Sequence, residues 1–321
     1  MVAAQGMTRR SLVATLAGVA AMASTAFASG RWHTASPARA GFSADLAAKL
    51  NAGVRSGLLQ GLHSVLVSRN DRLVLEQYYT GQDQSWGKRL GNVAFCPDTL
   101  HDLRSVTKSI VGLLYGIALD RRLVPPPDAP LLAQFPEYPD LAADPARAKL
   151  TVANALTMTM GMAWDENRSY ADPKNSERAM EDAPERNRYV LEQPIVAAPG
   201  TRWIYGGGAV ALLGALIARG SGKPLQEFAR EALFEPLGIS VFEWAKGRDG
   251  VAAAASGLRL RPRDLLRIGT LVLAKGTWDG RQIVSRAWLD ASFKPEVATT
   301  GNLVGVEYGY VWYLGEGTCL R

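Results

Sequence analysis

Apolar residues fall at intervals of three and four along residues 43–60 (Leu46, Leu50, Val54, Leu58), a spacing that predicts an amphipathic helix. Residues 64–79 then hold two β-type runs separated by Arg69-Asn70-Asp71-Arg72, the pattern of a hairpin. From residue 105 to 119 the chain is apolar on nearly every side, with Gly112 and Gly116 among the large residues, and a buried helix is expected. Pro125-Pro126-Pro127 and Pro130 end it, since proline has no N–H to donate and clashes with a preceding turn. Residues 150–160 read as another helix, opening at Thr151. Residues 164–188 break the rhythm. Asp165, Glu166, Tyr170, Asp172, Asn175 and Glu177 come without an apolar period, and so long a polar stretch is expected to be a functional loop. Pro199-Gly200 marks a turn, followed by a small-residue helix over 209–218 and another helix over 225–234. Pro262-Arg263-Asp264 opens a helix carrying Leu265, Leu266, Ile268 and Leu271, and Trp278-Asp279-Gly280 reads as a tight turn. Near the end, Tyr308, Tyr310 and Trp312 alternate with other residues as in a strand with two faces. Strands near the start, helices through the middle and no internal repeat predict an α/β domain with an inserted helical domain.

With 47% hydrophobic residues in a chain of 321, a sizeable core can be buried, and 21% charged residues of both signs are too few for a disordered chain. The formal charge of +6 raises nucleic acid or a membrane surface as partners. Arg and Lys are interleaved with Asp and Glu, however, so the surplus reads as surface solvation and no nucleic-acid partner is expected. Cys96 and Cys319 are too few for a disulfide framework. His33, His63 and His101 show no ligand spacing, and neither a metal nor an organic cofactor is expected.

The N-terminus reads as an address. Thr8-Arg9-Arg10-Ser11-Leu12 precedes an apolar run to Ala28, with Ala26-Phe27-Ala28 as a small-x-small cleavage site; this is the layout of a secretory signal over residues 1–28. The paired arginines point to the twin-arginine route. The run is shorter than the roughly 20 residues a spanning helix needs and is rich in small residues, so cleavage is expected, with no stable membrane anchor. Nothing in residues 1–6 belongs to the signal, which leaves both Met1 and Met7 as starts. Residues 29–321 would then form a periplasmic or secreted domain.

A serine hydroxyl becomes a nucleophile when a base lies within hydrogen-bond reach. A lysine three residues on supplies that contact in a helix, where positions i and i+3 share a face. The S-x-x-K pattern occurs twice. Ser85-Trp86-Gly87-Lys88 lies in a polar, glycine-broken stretch that need not be helical, whereas Ser105-Val106-Thr107-Lys108 begins the buried helix. Burial there should lower the pKa of Lys108 towards that of a usable base. On the residues alone, Ser105 is either a nucleophile or a helix N-cap, a position serine favours. Tyr205, followed by Gly206-Gly207-Gly208, is either a phenol on an exposed turn or a core aromatic at the end of a short strand. No G-x-S-x-G elbow occurs, which disfavours an α/β-hydrolase.

Ser105-Val106-Thr107-Lys108 followed by Tyr205-Gly206-Gly207 resembles the serine β-lactamase and penicillin-binding protein superfamily. The likeness is to its class C branch, home also to esterases, D-amino-acid peptidases and 6-aminohexanoate-dimer hydrolases. Leu156-Thr-Met-Thr-Met-Gly-Met-Ala-Trp164, Pro199-Gly-Thr-Arg-Trp-Ile-Tyr205 and Glu235-Pro-Leu-Gly-Ile239 extend it over most of the chain. Trp164-Asp165-Glu166, with Tyr308-Gly-Tyr-Val-Trp-Tyr313, is most similar to the 6-aminohexanoate-dimer hydrolase group. The resemblance implies an antiparallel-sheet α/β fold of the β-lactamase type with an inserted, mostly helical domain. It implies Ser105 as nucleophile, Lys108 as its partner and Tyr205 as the proton relay to the leaving group, with Tyr170 and Gly207 at substrate-contacting positions. The implied reaction is hydrolysis of a small-molecule ester, amide or β-lactam through an acyl-enzyme. Gly207 stands where many β-lactamases carry an asparagine, which argues against binding of a β-lactam side chain. The family's third motif, a Lys-Thr-Gly, His-Thr-Gly or Gly-Gly strand, does not occur before Arg321. That predicts a sheet without its closing strands, and it makes a non-catalytic binding protein on the same scaffold the rival reading.

Overall fold

The computed structural model describes residues 32–300 and 305–315; the expected signal at residues 1–28 and Cys319 lie outside the described residues. The chain enters through β1 (His33–Thr34) and α1 (Leu46–Arg55), then forms a hairpin of β2 (Ser64–Arg69) and β3 (Arg72–Tyr78). Asn70 and Asp71 take left-handed backbone angles (φ 50° and 57°), as a two-residue turn between twisted strands requires. β1 lies parallel to β3, giving the order β1-β3-β2. The helix expected over 43–60 ends at Arg55, because the chain turns at Gly57 (φ 75°). Leu58, at 81% exposed, belongs to no apolar stripe.

A second hairpin joins β4 (Thr80–Ser85) to β5 (Lys88–Ala94), with Ser85 paired to Lys88 across the turn of Trp86 (φ 49°) and Gly87 (φ 84°). The first S-x-x-K is therefore a hairpin tip rather than a helical turn. β6 (His101–Asp102) runs through Leu103 and Arg104 into α2 (Val106–Asp120). A block of helices follows: α3 (Pro139–Ala142), α4 (Val152–Leu156), α5 (Ser176–Asp182), α6 (Arg186–Leu191), α7 (Gly207–Ser221) and α8 (Leu225–Ala229). The chain then returns as β7 (Glu243–Trp244) and β8 (Leu258–Leu260). β8 pairs antiparallel with both β6 and β7, so the helices are inserted between strands of one sheet, as the sequence pattern predicts.

Two expectations in the helical block, one of a helix and one of a loop, need revision. α4 opens at Thr151 with a reciprocal capping box to Asn154, but it stops at Leu156, and Met158 at φ 56° cannot continue it. The polar stretch 164–188 is a loop only in its first part. Asn175 caps α5, accepting the Arg178 N–H, and α5 turns Glu177, Met180 and Glu181 inward. A helix whose inner face carries carboxylates hides from a search for apolar spacing.

α2 and α7 pack side by side at the centre, buried over most of their length. The chain continues with α9 (Pro262–Leu273), the hairpin of β9 (Thr277–Trp278) and β10 (Arg281–Gln282), and α10 (Arg286–Ser292). Last come β11 (Val297–Ala298), β12 (Glu307–Tyr308) and β13 (Tyr313–Leu314), antiparallel in that order. The strand expected over 308–312 is instead a hairpin in which Tyr308 pairs with Tyr313 and Val311 reverses the chain at φ 56°. Its turn is fastened to the helical block: Val311 N–H donates to the Leu156 carbonyl at 2.8 Å, and Ser109 Oγ donates to the Val311 carbonyl at 2.8 Å. Gly112 of α2 admits this turn, since a Cβ there would collide with the Val311 side chain.

Candidate active site

The bend from β6 into α2 sets the site. Arg104 holds a left-handed angle (φ 48°), a conformation that costs energy for a residue with a side chain, and it turns Ser105 onto the first position of the helix. Ser105 occupies the N-cap, yet its hydroxyl makes no capping hydrogen bond. It accepts instead from Lys108 Nζ at 3.2 Å, one turn along the same face. Lys108 also donates to the Ala255 carbonyl at 3.0 Å, from the segment that leads into β8. The ammonium lies 4.9 Å from the centre of the Tyr205 ring.

Two residues absent from the expected constellation complete it. Glu166 and Glu177 place carboxylate oxygens 4.0 and 3.9 Å from Lys108 Nζ, and the three side chains are 6%, 1% and 2% exposed, respectively. Glu177 is held by Tyr170, whose hydroxyl donates at 3.0 Å, and by Ser256. Glu166 Oε1 accepts from the Trp164 indole at 2.6 Å and from the Gly207 N–H, while its buried Oε2 makes no hydrogen bond. Sequence reading placed both glutamates in a polar loop. Their presence in a stretch too long to be a spacer signalled them, and for Glu166 so did the Trp164-Asp165-Glu166 likeness.

These carboxylates overturn one expectation. Burial does work to lower the pKa of Lys108, but Glu177, Glu166 and Tyr205 outweigh it and push the pKa above that of an ordinary lysine. In the resting site Lys108 is an ammonium. The Glu166 pKa rises as well, but here burial is what raises it: Lys108 restrains the rise, Glu177 adds to it, and the carboxyl is pushed up to about 7. The hydroxyl of Tyr170 is likewise pushed up, by burial first and then by the two carboxylates.

The structure brings Ser105, Lys108, Tyr205 and Tyr170 around this centre. Gly207 is buried at the start of α7, its N–H taken by Glu166, and a Cβ there would come within 2.8 Å of Ala255 Cβ and 3.0 Å of Glu166 Oε1. Its lack of a side chain makes room for the carboxylates. Ser105 and Lys108 open onto a cavity of about 380 Å³ walled by Val106, Tyr205, Val306, Tyr308, Val311 and Tyr313. The Tyr205 and Tyr313 rings stack at 6.1 Å, and the Tyr308 ring meets Tyr313 edge-on at 4.9 Å. The other side of the centre faces a second cavity of about 470 Å³, which Arg104, Tyr170 and Glu177 help to line.

The fold is thus a mixed α/β arrangement of small antiparallel sheets around a helical block, with a serine and a lysine one turn apart at the foot of a buried helix. The chain belongs to the Beta-lactamase family, whose profile matches residues 44–320. It is similar to esterase EstB of Burkholderia gladioli, 29% identical over 207 residues, which cover 61% of this chain and 51% of that one. It is also similar to the 6-aminohexanoate-dimer hydrolase of Paenarthrobacter ureafaciens, 25% identical over 247 residues, covering 70% and 55%. The chain thus spans about half the length of these curated relatives. Among solved structures, the octameric penicillin-binding protein homologue from Pyrococcus abyssi shares the fold, with a TM-score of 0.65 at 19% identity, covering 84% of this chain and 65% of that one.

Proposed function

We propose that the protein is a serine hydrolase that cleaves an ester or amide of a small molecule through an acyl-enzyme on Ser105. One observation carries this reading: the Ser105 hydroxyl leaves the capping role open to it and engages a buried lysine beside an apolar cavity. The names of the relatives, an esterase and a 6-aminohexanoate-dimer hydrolase, support a hydrolase.

Because Lys108 rests as an ammonium, it can accept the Ser105 proton only by giving up one of its own. Glu166 is the neighbour able to take that proton: its Oε2 faces Lys108 Nζ at 4.0 Å without a hydrogen bond of its own, and its carboxyl has a raised proton affinity. As Oγ bonds to the carbonyl carbon, the hydroxyl proton passes to Nζ and an Nζ proton passes to Glu166. The Tyr205 phenol then protonates the departing oxygen or nitrogen as its bond to the carbonyl breaks, and recovers a proton from Lys108. Water returns the acyl group as the acid by the reverse sequence. Export by the twin-arginine route, read from residues 1–28, would place this reaction in the periplasm or outside the cell.

An ester is the better substrate than a β-lactam, since Gly207 offers no side-chain amide and its N–H is already engaged by Glu166. The test is a comparison of kcat/KM for p-nitrophenyl butyrate and nitrocefin. Butyrate turnover exceeding that of nitrocefin is the expected result. Efficient nitrocefin hydrolysis with negligible esterase activity would overturn it.

A further inference from the structure

The second cavity differs in chemistry from the first. Its wall carries Glu177, Glu181 and Asp182, but each carboxylate already has a partner: Lys108 for Glu177 at 3.9 Å, Arg186 for Glu181 at 2.8 Å and Arg178 for Asp182 at 2.6 Å. Three cations on the same wall, Arg104, Lys246 and Arg248, are less committed. Among the described residues, neither Lys246 nor Arg248 has a carboxylate within ion-pair distance, and both are exposed residues of the cavity lining. Arg104 has only a long pair of 3.7 Å to Asp102, whose carboxylate is held more closely by Arg259 at 2.8 Å and by the Trp86 N–H at 2.8 Å. Arg104 is the residue next to the nucleophile, so the wall that carries Lys246 and Arg248 also includes the neighbour of Ser105. Trp86, at the tip of the β4–β5 hairpin, gives it an apolar side.

We propose that this cavity is a subsite for an anionic group, so that the substrate is an ester or amide with a carboxylate on one side of the scissile bond and an apolar group, seated among Tyr205, Tyr308 and Tyr313, on the other. The proposal rests on Ser105 being the nucleophile of a hydrolase. An unpaired cation beside a low-dielectric wall raises the local concentration of an anion and fixes its orientation.

The test uses two matched ester pairs. In one, the charge is on the acyl side (mono-p-nitrophenyl glutarate against its methyl ester). In the other, it is on the alcohol side (4-acetoxybenzoate against methyl 4-acetoxybenzoate). The expected result is an acid-to-methyl-ester ratio of kcat/KM, corrected for the intrinsic reactivity of each ester, of at least tenfold in one pair. That ratio should shrink as salt is raised and fall to about one in Lys246→Gln/Arg248→Gln. In Lys246→Glu/Arg248→Glu the same pair should prefer the neutral ester, a reversal that mere loss of folding would not produce. Turnover of the neutral esters with no preference for charge in either pair would overturn the subsite alone, as would a preference that survives both double variants. No turnover of any of the four esters would overturn the nucleophile, and the subsite with it.

Discussion

Lys108 bears a single positive charge between two carboxylates, so the buried centre of the site carries one negative charge too many for a medium that solvates ions poorly. The surplus is relieved by a proton on Glu166, whose pKa burial raises to about 7 from an ordinary 4.5. The folded protein therefore binds a proton there at pH values where the unfolded chain does not, and Glu166 makes stability fall as pH rises from about 4.5 to about 7. Glu166→Gln should flatten that slope. Urea midpoints measured between pH 5 and pH 8 should show the variant gaining on the parent as pH increases. A slope left in the variant would belong to Glu181, which burial also pushes up to about 7. Activity should respond in the opposite sense. Glu166 must be ionised to take a proton from Lys108, so kcat/KM should decline as pH falls below about 7. The variant should lose that limb along with roughly 100-fold of its rate. An unchanged acid limb in Glu166→Gln would remove Glu166 from the proton path.

At the scale of elements, helix glycines decide how closely the site's walls approach. A Cβ on Gly112 would strike Val311, and one on Gly116 would strike Trp288, whose indole donates to the Gly112 carbonyl at 2.9 Å. Gly112→Ala should therefore destabilise the fold by about 1–3 kcal/mol, although alanine is the better helix former, and it should lower kcat/KM by displacing the hairpin that carries Tyr308 and Tyr313. Gly269, exposed on α9 with nothing near its missing Cβ, is the control. Gly269→Ala should stabilise by roughly 0.5–1 kcal/mol. Thermal unfolding of the two variants checks both signs. The same elements show what was legible beforehand. α2, the β2–β3 hairpin and the Asp279–Gly280 turn were readable because apolar period, turn residues and proline stops all agree there. The 307–314 hairpin was not. Its aromatics pack in different directions, Tyr308 and Tyr313 against Trp203, Tyr310 against Trp288 and Trp312 against Phe293, and such packing yields the same alternation as a two-faced strand. The contact between Ser105 and Lys108 was legible from their spacing on a buried helix. Glu166 and Glu177 were not, because their meaning depends on Lys108, which is near them only after folding.

For the whole molecule, the site is a product of long-range closure. Ser105 and Lys108 come from the foot of α2, Glu166 and Glu177 from the helical block, Tyr205 from the approach to α7, and Ala255 and Ser256 from the return towards β8. The β6–β8 pairing, Leu103 N–H to the Leu258 carbonyl at 2.9 Å, ties the two ends of that excursion together next to Ser105. A fold assembled this way sets Ser105 against Lys108, and the most direct measurement is where an acylating or phosphonylating reagent attaches. The purified protein should be treated with a fluorophosphonate probe, its intact mass recorded and the modified peptide sequenced. One adduct per chain on Ser105 is expected, absent in Ser105→Ala and retained in Ser85→Ala. Labelling that persists in Ser105→Ala, or that maps to Ser85, would contradict the assignment of Ser105 as the nucleophile.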